Sequence, residues 1–241
     1  MTEKRTGKSE QSTTRRNFLG LAVGAGALYA VDRMDLMVRA EHALNPFHDE
    51  SRPLTPESYK ITIPWLPDTV RYWEDAILEM AEKYEIDPDL IAIVMTIESG
   101  GASQVSSEVG AKGLMQIMPD TEKDIASKFL KEPRTDYDIW DPRTNIEFGV
   151  AYVAYLRDEF GTKEQGPDWD STTEIVAAGY NGGPGAANSL DSGRGLESEQ
   201  TIQHSRDTVG MWRERNAVAS PTYQRWYERG GSRLINLAMA E

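Results

Sequence analysis

Proline placement constrains this chain more than any other feature. Five of its twelve prolines, Pro46, Pro53, Pro56, Pro64 and Pro67, fall between residues 32 and 67. Proline has no N–H to donate and a fixed φ, so this density excludes regular helix and favours an extended spacer. Further along, prolines stand where helices can begin, at Asp87-Pro88, Pro119-Asp120 and Asp141-Pro142. The first helical position needs no donor, and Asp beside it can cap the free amides. The chain therefore reads as a Pro-rich linker over 32–67 and a folded region over 68–241.

Helical periodicity fills that region. Asp68 and Thr69 offer an N-cap before RYWEDAILEMAEKYEI, in which Trp73, Ile77, Met80, Ala81 and Tyr84 recur at helical spacing. A second helix, capped by Asp87, runs through DLIAIVMTIES and stops at Gly100-Gly101. A third follows Pro119, and a fourth runs from Asp141-Pro142 to Gly161. A fifth covers about Thr172 to Tyr180, and others are expected over 198–217 and 221–240. No long alternating stretch argues for a sheet, although the loop at 101–113 has room for short strands. The expected fold is mainly α, in a single domain.

The first residues read as an address. Residues 1–17 are polar and include Lys4, Arg5, Lys8, Arg15 and Arg16, and an apolar run from Phe18 to Val31 follows at once. That run is short for a membrane span and suits the apolar region of an export signal. Thr14-Arg15-Arg16-Asn17-Phe18-Leu19 resembles the twin-arginine signal. Residues 1–31 are thus expected to be a signal peptide, or a membrane anchor through residues 18–31, and the protein to be exported.

Composition narrows the chemistry. Cysteine is absent, which removes disulfides, thiolate metal sites and a cysteine nucleophile. The three histidines, His42, His48 and His204, show no ligand spacing, so no metal or other cofactor is expected. A formal net charge of -13 argues against nucleic acid as a partner. No signal of oligomeric state is present.

Glu98 stands out. Met95, Val94 and Ile91 lie three, four and seven residues before it, on the same helix face. A glutamate on an apolar stripe must be paired, protonated or functional. The other reading is a residue fraying into solvent at the helix end, and this helix alone leaves both open.

A resemblance decides between them. Ile97-Glu98-Ser99-Gly100, followed by Gly113-Leu114-Met115-Gln116-Ile117-Met118-Pro119, resembles the active-site signature of soluble lytic transglycosylases. These are peptidoglycan-cleaving enzymes of the lysozyme-like superfamily. Gly179-Tyr180-Asn181-Gly182-Gly183 is similar to the same family's Ala-Tyr-Asn-x-Gly motif. The resemblance implies a lysozyme-like domain with a substrate groove that takes peptidoglycan glycan strands. It implies Glu98 as sole acid and base, cleaving between N-acetylmuramic acid and N-acetylglucosamine and leaving a 1,6-anhydro end. It places Ser107, Gln116, Met118, Tyr180 and Asn181 at substrate-binding positions, with Tyr180 also hydrogen-bonded to the catalytic carboxylate.

There are departures. Gly179 replaces the family's alanine, which reads as a minor change. The Glu-Thr-Arg-x-Tyr-Val segment common near the family's C-terminus has only Pro221 to Tyr227 as its nearest text. Residues 189–219 are expected to add a helix over one end of the groove. Two other functions fit this framework. One is a lysozyme-type hydrolase with a second carboxylate, for which Asp120 and Asp141 are candidates, although both look like helix caps. The other is a non-catalytic glycan-binding protein.

Overall fold

The structure, a computed structural model, describes residues 59–161 and 169–241. The expected signal at 1–31 and the linker up to residue 58 lie outside the described residues. Helix α1 spans Asp68–Arg71, α2 Glu74–Tyr84 and α3 Pro88–Ser99. Helix α4, Pro119–Asp124, continues into a π turn at Ile125–Phe129. Helices α5, α6 and α7 cover Pro142–Phe160, Trp169–Gly182 and Pro184–Asp191. Helix α8 is Glu199–Arg213, and α9, Pro221–Trp226, passes through a π turn at Tyr227–Gly231 into α10, Ser232–Ala238. The fold is mainly α, as expected. Among the described residues the only β pairing is two isolated bridges, Ser106 to Lys112 and Lys112 to Ile117.

Helix α3 forms the centre. Asp87 caps it by accepting from the Asp89 amide at 2.9 Å, and Pro88 occupies its first turn. Leu90, Ile91, Ala92, Ile93, Val94 and Met95 are all fully buried, so α3 has no solvent face over these turns. Burying each larger aliphatic side chain contributes about 1.5–3 kcal/mol. Helices α1, α2, α8 and α10 pack around it, and α6 packs against α5, α7 and α8.

Three expectations need correction. The helix expected from residue 68 is broken at Tyr72-Trp73, and Pro67 rather than Asp68 precedes its first turn, with no side-chain cap. The break directs side chains to the end of α3. Thr69 Oγ1 donates to the Gly100 carbonyl at 2.6 Å, and Trp73 Nε1 to the Gly101 carbonyl at 3.0 Å. Gly101 has φ +91°, and a Cβ there would lie 2.3 Å from the Thr69 carbonyl oxygen, so only glycine allows this approach.

The second correction concerns the linker boundary. Residues 59–67 are docked, not free: Ile61, Ile63 and Leu66 are part of the core. Thr62 donates through its amide (2.8 Å) and hydroxyl (2.5 Å) to the Asp89 carboxylate, and Trp65 Nε1 donates to the Glu214 carbonyl at 2.9 Å. Pro64 and Pro67 do keep this segment from forming a long helix, but its alternating apolar residues still find the core.

The third concerns Gly179 and the helix it faces, α7. Pro184 starts it and Ala187 anchors it in the core. Gly179 faces this helix. A Cβ at Gly179 would lie 2.7 Å from Leu156 Cδ2 and 2.9 Å from Ala187 Cβ. The glycine is therefore a packing requirement here, not a minor change.

Candidate active site

Within α3, only Ile97 and Glu98 are partly exposed. The Glu98 side chain retains 15% exposure and opens onto a cleft of about 420 Å³. Its Oε1 lies 2.8 Å from Nε2 of His204 on α8. His204 is buried, and its other ring nitrogen, Nδ1, has no hydrogen-bond partner among the described residues.

Helix α8 supplies one wall of the cleft through Gln200, Gln203, His204 and Asp207. Their spacing places them on one helix face. The opposite wall comes from the end of α9 and the π turn after it, where Gly230 has φ +133°. That backbone conformation suits glycine alone. Arg229, beside it, reaches Asp207 Oδ2, while Gln203 Nε2 donates to Asp207 Oδ1 at 3.1 Å. Asp207 is thus a second carboxylate in the cleft, but both of its oxygens are engaged.

The loop between α3 and α4 is folded on itself. Gly113 donates to the Val105 carbonyl (2.9 Å), and Gln116 Nε2 donates to the carbonyls of Gly113 (2.8 Å) and Val105 (3.1 Å). Buried Asn145 on α5 pins the loop from behind. Its Oδ1 accepts from the Met115 amide (2.7 Å), and its Nδ2 donates to the carbonyls of Lys112 and Ile139 (3.0 Å each). A Cβ on Gly113 would lie 2.5 Å from Asn145 Nδ2, and φ there is +72°. The Gly-Leu-Met-Gln motif is therefore explained by this backbone knot.

Tyr180 and Asn181 lie near the end of α6. The Tyr180 hydroxyl donates to the Met115 carbonyl at 2.7 Å. The expectation that it hydrogen-bonds Glu98 is thereby corrected: its single proton is committed to the loop, and His204 is the residue bonded to Glu98. Tyr180 still lies within electrostatic reach of Glu98. Burial, with a smaller push from the Glu98 charge, holds its phenol well above the ordinary range, so it remains a neutral donor. Asn181 lines the cleft, and its Oδ1 accepts from Thr201 Oγ1 at 3.1 Å.

Of the expected site residues, Glu98 and Asn181 line the cleft, Ser107, Gln116 and Met118 belong to the loop between α3 and α4, and Tyr180 is fastened to that loop. Ser107 Oγ accepts from the Ala111 amide at 3.0 Å, which leaves its own hydrogen to donate. Gln116 has both amide hydrogens occupied within the loop. Met118 is 38% exposed at the start of α4. The candidate second carboxylates are elsewhere. Asp141 caps α5 by accepting from the Thr144 amide (2.8 Å). Asp120 is fully exposed in the first turn of α4 rather than at its cap.

Sequence reasoning misses His204, Asp207 and Arg229. A signal for the first two exists in the spacing of Gln200, Gln203, His204 and Asp207. Polar residues at that spacing are ordinarily a solvated face, which is why they do not stand out. The contribution near the C-terminal end of the chain comes from α8, from Trp226 at the end of α9 and from the π turn after it, without the family's motif at 221–227.

The family described as "Transglycosylase SLT domain" matches residues 75–202. The membrane-bound lytic murein transglycosylase E of Buchnera aphidicola is 30% identical over 112 residues, covering 46% of this chain and 51% of that protein. The membrane-bound lytic murein transglycosylase C of Glaesserella parasuis is 33% identical over 133 residues, 52% of this chain and 36% of that protein. The chain thus spans about half, or less, of the length of these relatives. Among solved structures, the 70 kDa soluble lytic transglycosylase of Escherichia coli aligns with a TM-score of 0.44 and 26% identity, over 65% of this chain and 24% of that one.

Proposed function

Since the chain belongs to the transglycosylase SLT domain family, we propose that it is an exported lytic transglycosylase that cleaves peptidoglycan glycan strands. The bond broken is the β-1,4 link between N-acetylmuramic acid and N-acetylglucosamine, and Glu98 is the acid and then the base. One observation carries this reading: Glu98 ends a buried helix with its carboxylate opening onto a cleft, and one of its oxygens has no hydrogen bond among the described residues.

In this mechanism Glu98 gives its proton to the glycosidic oxygen as the bond to C1 breaks. The acetamido oxygen of the same muramyl residue stabilises the positive charge developing at C1. The Glu98 carboxylate then takes the proton of the muramyl C6 hydroxyl, and O6 closes onto C1. One C–O bond is broken and one is formed, the proton leaves on the N-acetylglucosamine hydroxyl, and no water is consumed. The nucleophile is already tethered to the reacting sugar, which removes the entropy cost of a second molecule. No metal or cofactor enters any step.

The remaining residues act on the strand or on the walls that hold it. Among the described residues nothing accepts from Asn181 Nδ2 or from the Ser107 hydroxyl hydrogen, so both can donate to sugar oxygens or acetamido groups. Gln116 offers only its Oε1, and Met118 an apolar surface. Tyr180 holds the loop against α6 beside Glu98. The export signal at 1–31 would deliver the enzyme to the wall, and the names of both relatives place them at a membrane. Among the described residues no helix is long and apolar enough to cross one. A hydrolase would need a second carboxylate free to activate water; Asp207, held by Arg229 and Gln203, is poorly suited to that role.

The test is digestion of purified peptidoglycan by the full chain and by Glu98→Gln. Release of soluble fragments is expected from the wild type, with a loss of at least about 100-fold in the variant. Equal rates for the two would remove Glu98 from the chemistry.

A further inference from the structure

His204 is the unexplained group in the cleft. It is buried and touches the Glu98 carboxylate, and nothing in the proposed reaction uses it. We infer that His204 is a positioning residue, a neutral ring whose Nε2–H holds Glu98 Oε1 and so confines the transferable proton to Oε2. The inference deepens the proposed function and rests on Glu98 being its acid.

The two ring nitrogens of His204 have different surroundings. Nδ1 is buried without a partner among the described residues. Nδ1 is unpaired in either tautomer, but a hydrogen there would either charge a buried ring or leave Nε2 as a lone pair facing a carboxylate oxygen at 2.8 Å. That disfavours both the imidazolium and the Nδ1–H tautomer. The remaining form has its hydrogen on Nε2, 2.8 Å from Glu98 Oε1, where a carboxylate or carbonyl oxygen can accept it.

This bond is compatible with both states of the acid. When Glu98 is ionised, Oε1 accepts as a carboxylate oxygen. When Glu98 is protonated, Oε1 can accept only as the carbonyl oxygen, so the proton must sit on Oε2. The same donor therefore serves before and after proton transfer without rearranging. It also restrains the carboxyl from rotating, which matters because a misplacement of about 1 Å can cost about 100-fold in rate.

Helix α8 keeps the ring in place. His204 lies between Gln203 and Asp207 on the cleft face, and Asp207 is tied to Arg229 on the opposite wall. The His204 carbonyl also accepts from Thr208 Oγ1 at 2.9 Å. The Glu98–His204 contact joins residues 106 apart in sequence, linking α3 to α8 across the floor of the cleft.

Two measurements on the full chain test the inference. The first is the ¹⁵N spectrum of the His204 ring, assigned by its disappearance in His204→Gln. A neutral ring protonated at Nε2 is expected; a ring protonated at Nδ1, or a charged ring, would overturn the inference whether or not the protein cleaves glycan. The second is kinetics on soluble glycan-strand oligosaccharides. His204→Leu, which removes the donor, should lower kcat by about 10- to 100-fold with KM within about twofold. His204→Gln, whose amide can still donate to Oε1, should recover most of that loss. Equal loss in both variants with unchanged melting temperatures, or a fall confined to KM, would contradict a positioning role. A wild type that releases no products would instead count against the proposed function, and the ring spectrum would still decide the tautomer independently.

Discussion

Glu147 and Glu98 are both largely withdrawn from water, and their surroundings differ in kind. Glu147 on α5 has a side chain only 6% exposed, with Lys83 Nζ at 2.6 Å and the Arg134 guanidinium on its other oxygen. The Tyr84 hydroxyl adds a third donor at 3.2 Å. Burial pushes its carboxyl up, but the hydrogen bonds from Lys83 and Arg134 outweigh that and hold it below the ordinary 4.5. Glu98 is 15% exposed and meets a single histidine nitrogen and a cleft. A carboxylate with both oxygens engaged by cations can brace helices but cannot readily exchange a proton. One held at a single oxygen beside a cavity can. The local sequence does not distinguish them, since each glutamate lies on a helix among apolar residues.

Substitutions at the two positions should separate these roles. The largest change in stability is expected from Glu147→Ala. It leaves Lys83 and Arg134, each about one-third exposed, without their shared partner. Full burial of the pair would put the loss at about 3–5 kcal/mol, and the partial exposure lowers it to about 2–3 kcal/mol. Denaturant unfolding would show it, while the specific activity of the folded fraction stays near wild type. Activity lost in proportion to Glu98→Gln would break the contrast.

A smaller effect is expected on the cleft side. Tyr180→Phe removes the hydroxyl that donates to the Met115 carbonyl. Stability should fall by about 1–2 kcal/mol, and glycan cleavage should fall with it because the loop is no longer fastened beside Glu98. An unchanged rate would mean that the loop needs no such anchor. The smallest effect is in pH dependence. Because the folded-state value of Glu147 is lowered, its contribution is complete above about 4.5 and is lost as pH falls through that lowered value. Melting temperature should therefore drop on acidification below pH 4.5, and Glu147→Gln should lack that component of the drop. An identical acid profile in the variant would show that the ion pairs do not matter to acid stability.

Much of the helical framework is legible from sequence because its signals are local. Asp87-Pro88 and Gly100-Gly101 bracket α3 as read, and Asp141 caps α5. The position of Glu98 at the end of an apolar helix is also a local property. What sequence could not supply are the long-range partners. Whether Glu98 meets a tyrosine or a histidine depends on how α6 and α8 pack on α3. Tyr180 turns to Met115, 65 residues away, and His204 takes the carboxylate. Residues 59–67 read as spacer from their prolines, yet Ile61, Ile63 and Leu66 outweigh that signal once a core is available. The break at Tyr72-Trp73 likewise accompanies hydrogen bonds from Thr69 and Trp73 to the end of α3, 28 to 31 residues away, which periodicity does not encode.

In the proposed reaction a single carboxyl, Glu98, passes a proton out and takes one back with no water consumed. The most direct measurement is the mass of soluble fragments released from purified peptidoglycan by the full chain, with the digestion run in ¹⁸O-labelled water. Fragments ending in 1,6-anhydromuramic acid, one water lighter than hydrolysis products and free of label at C1, are expected. Reducing ends carrying the label would contradict the proposed reaction and show that water is the nucleophile.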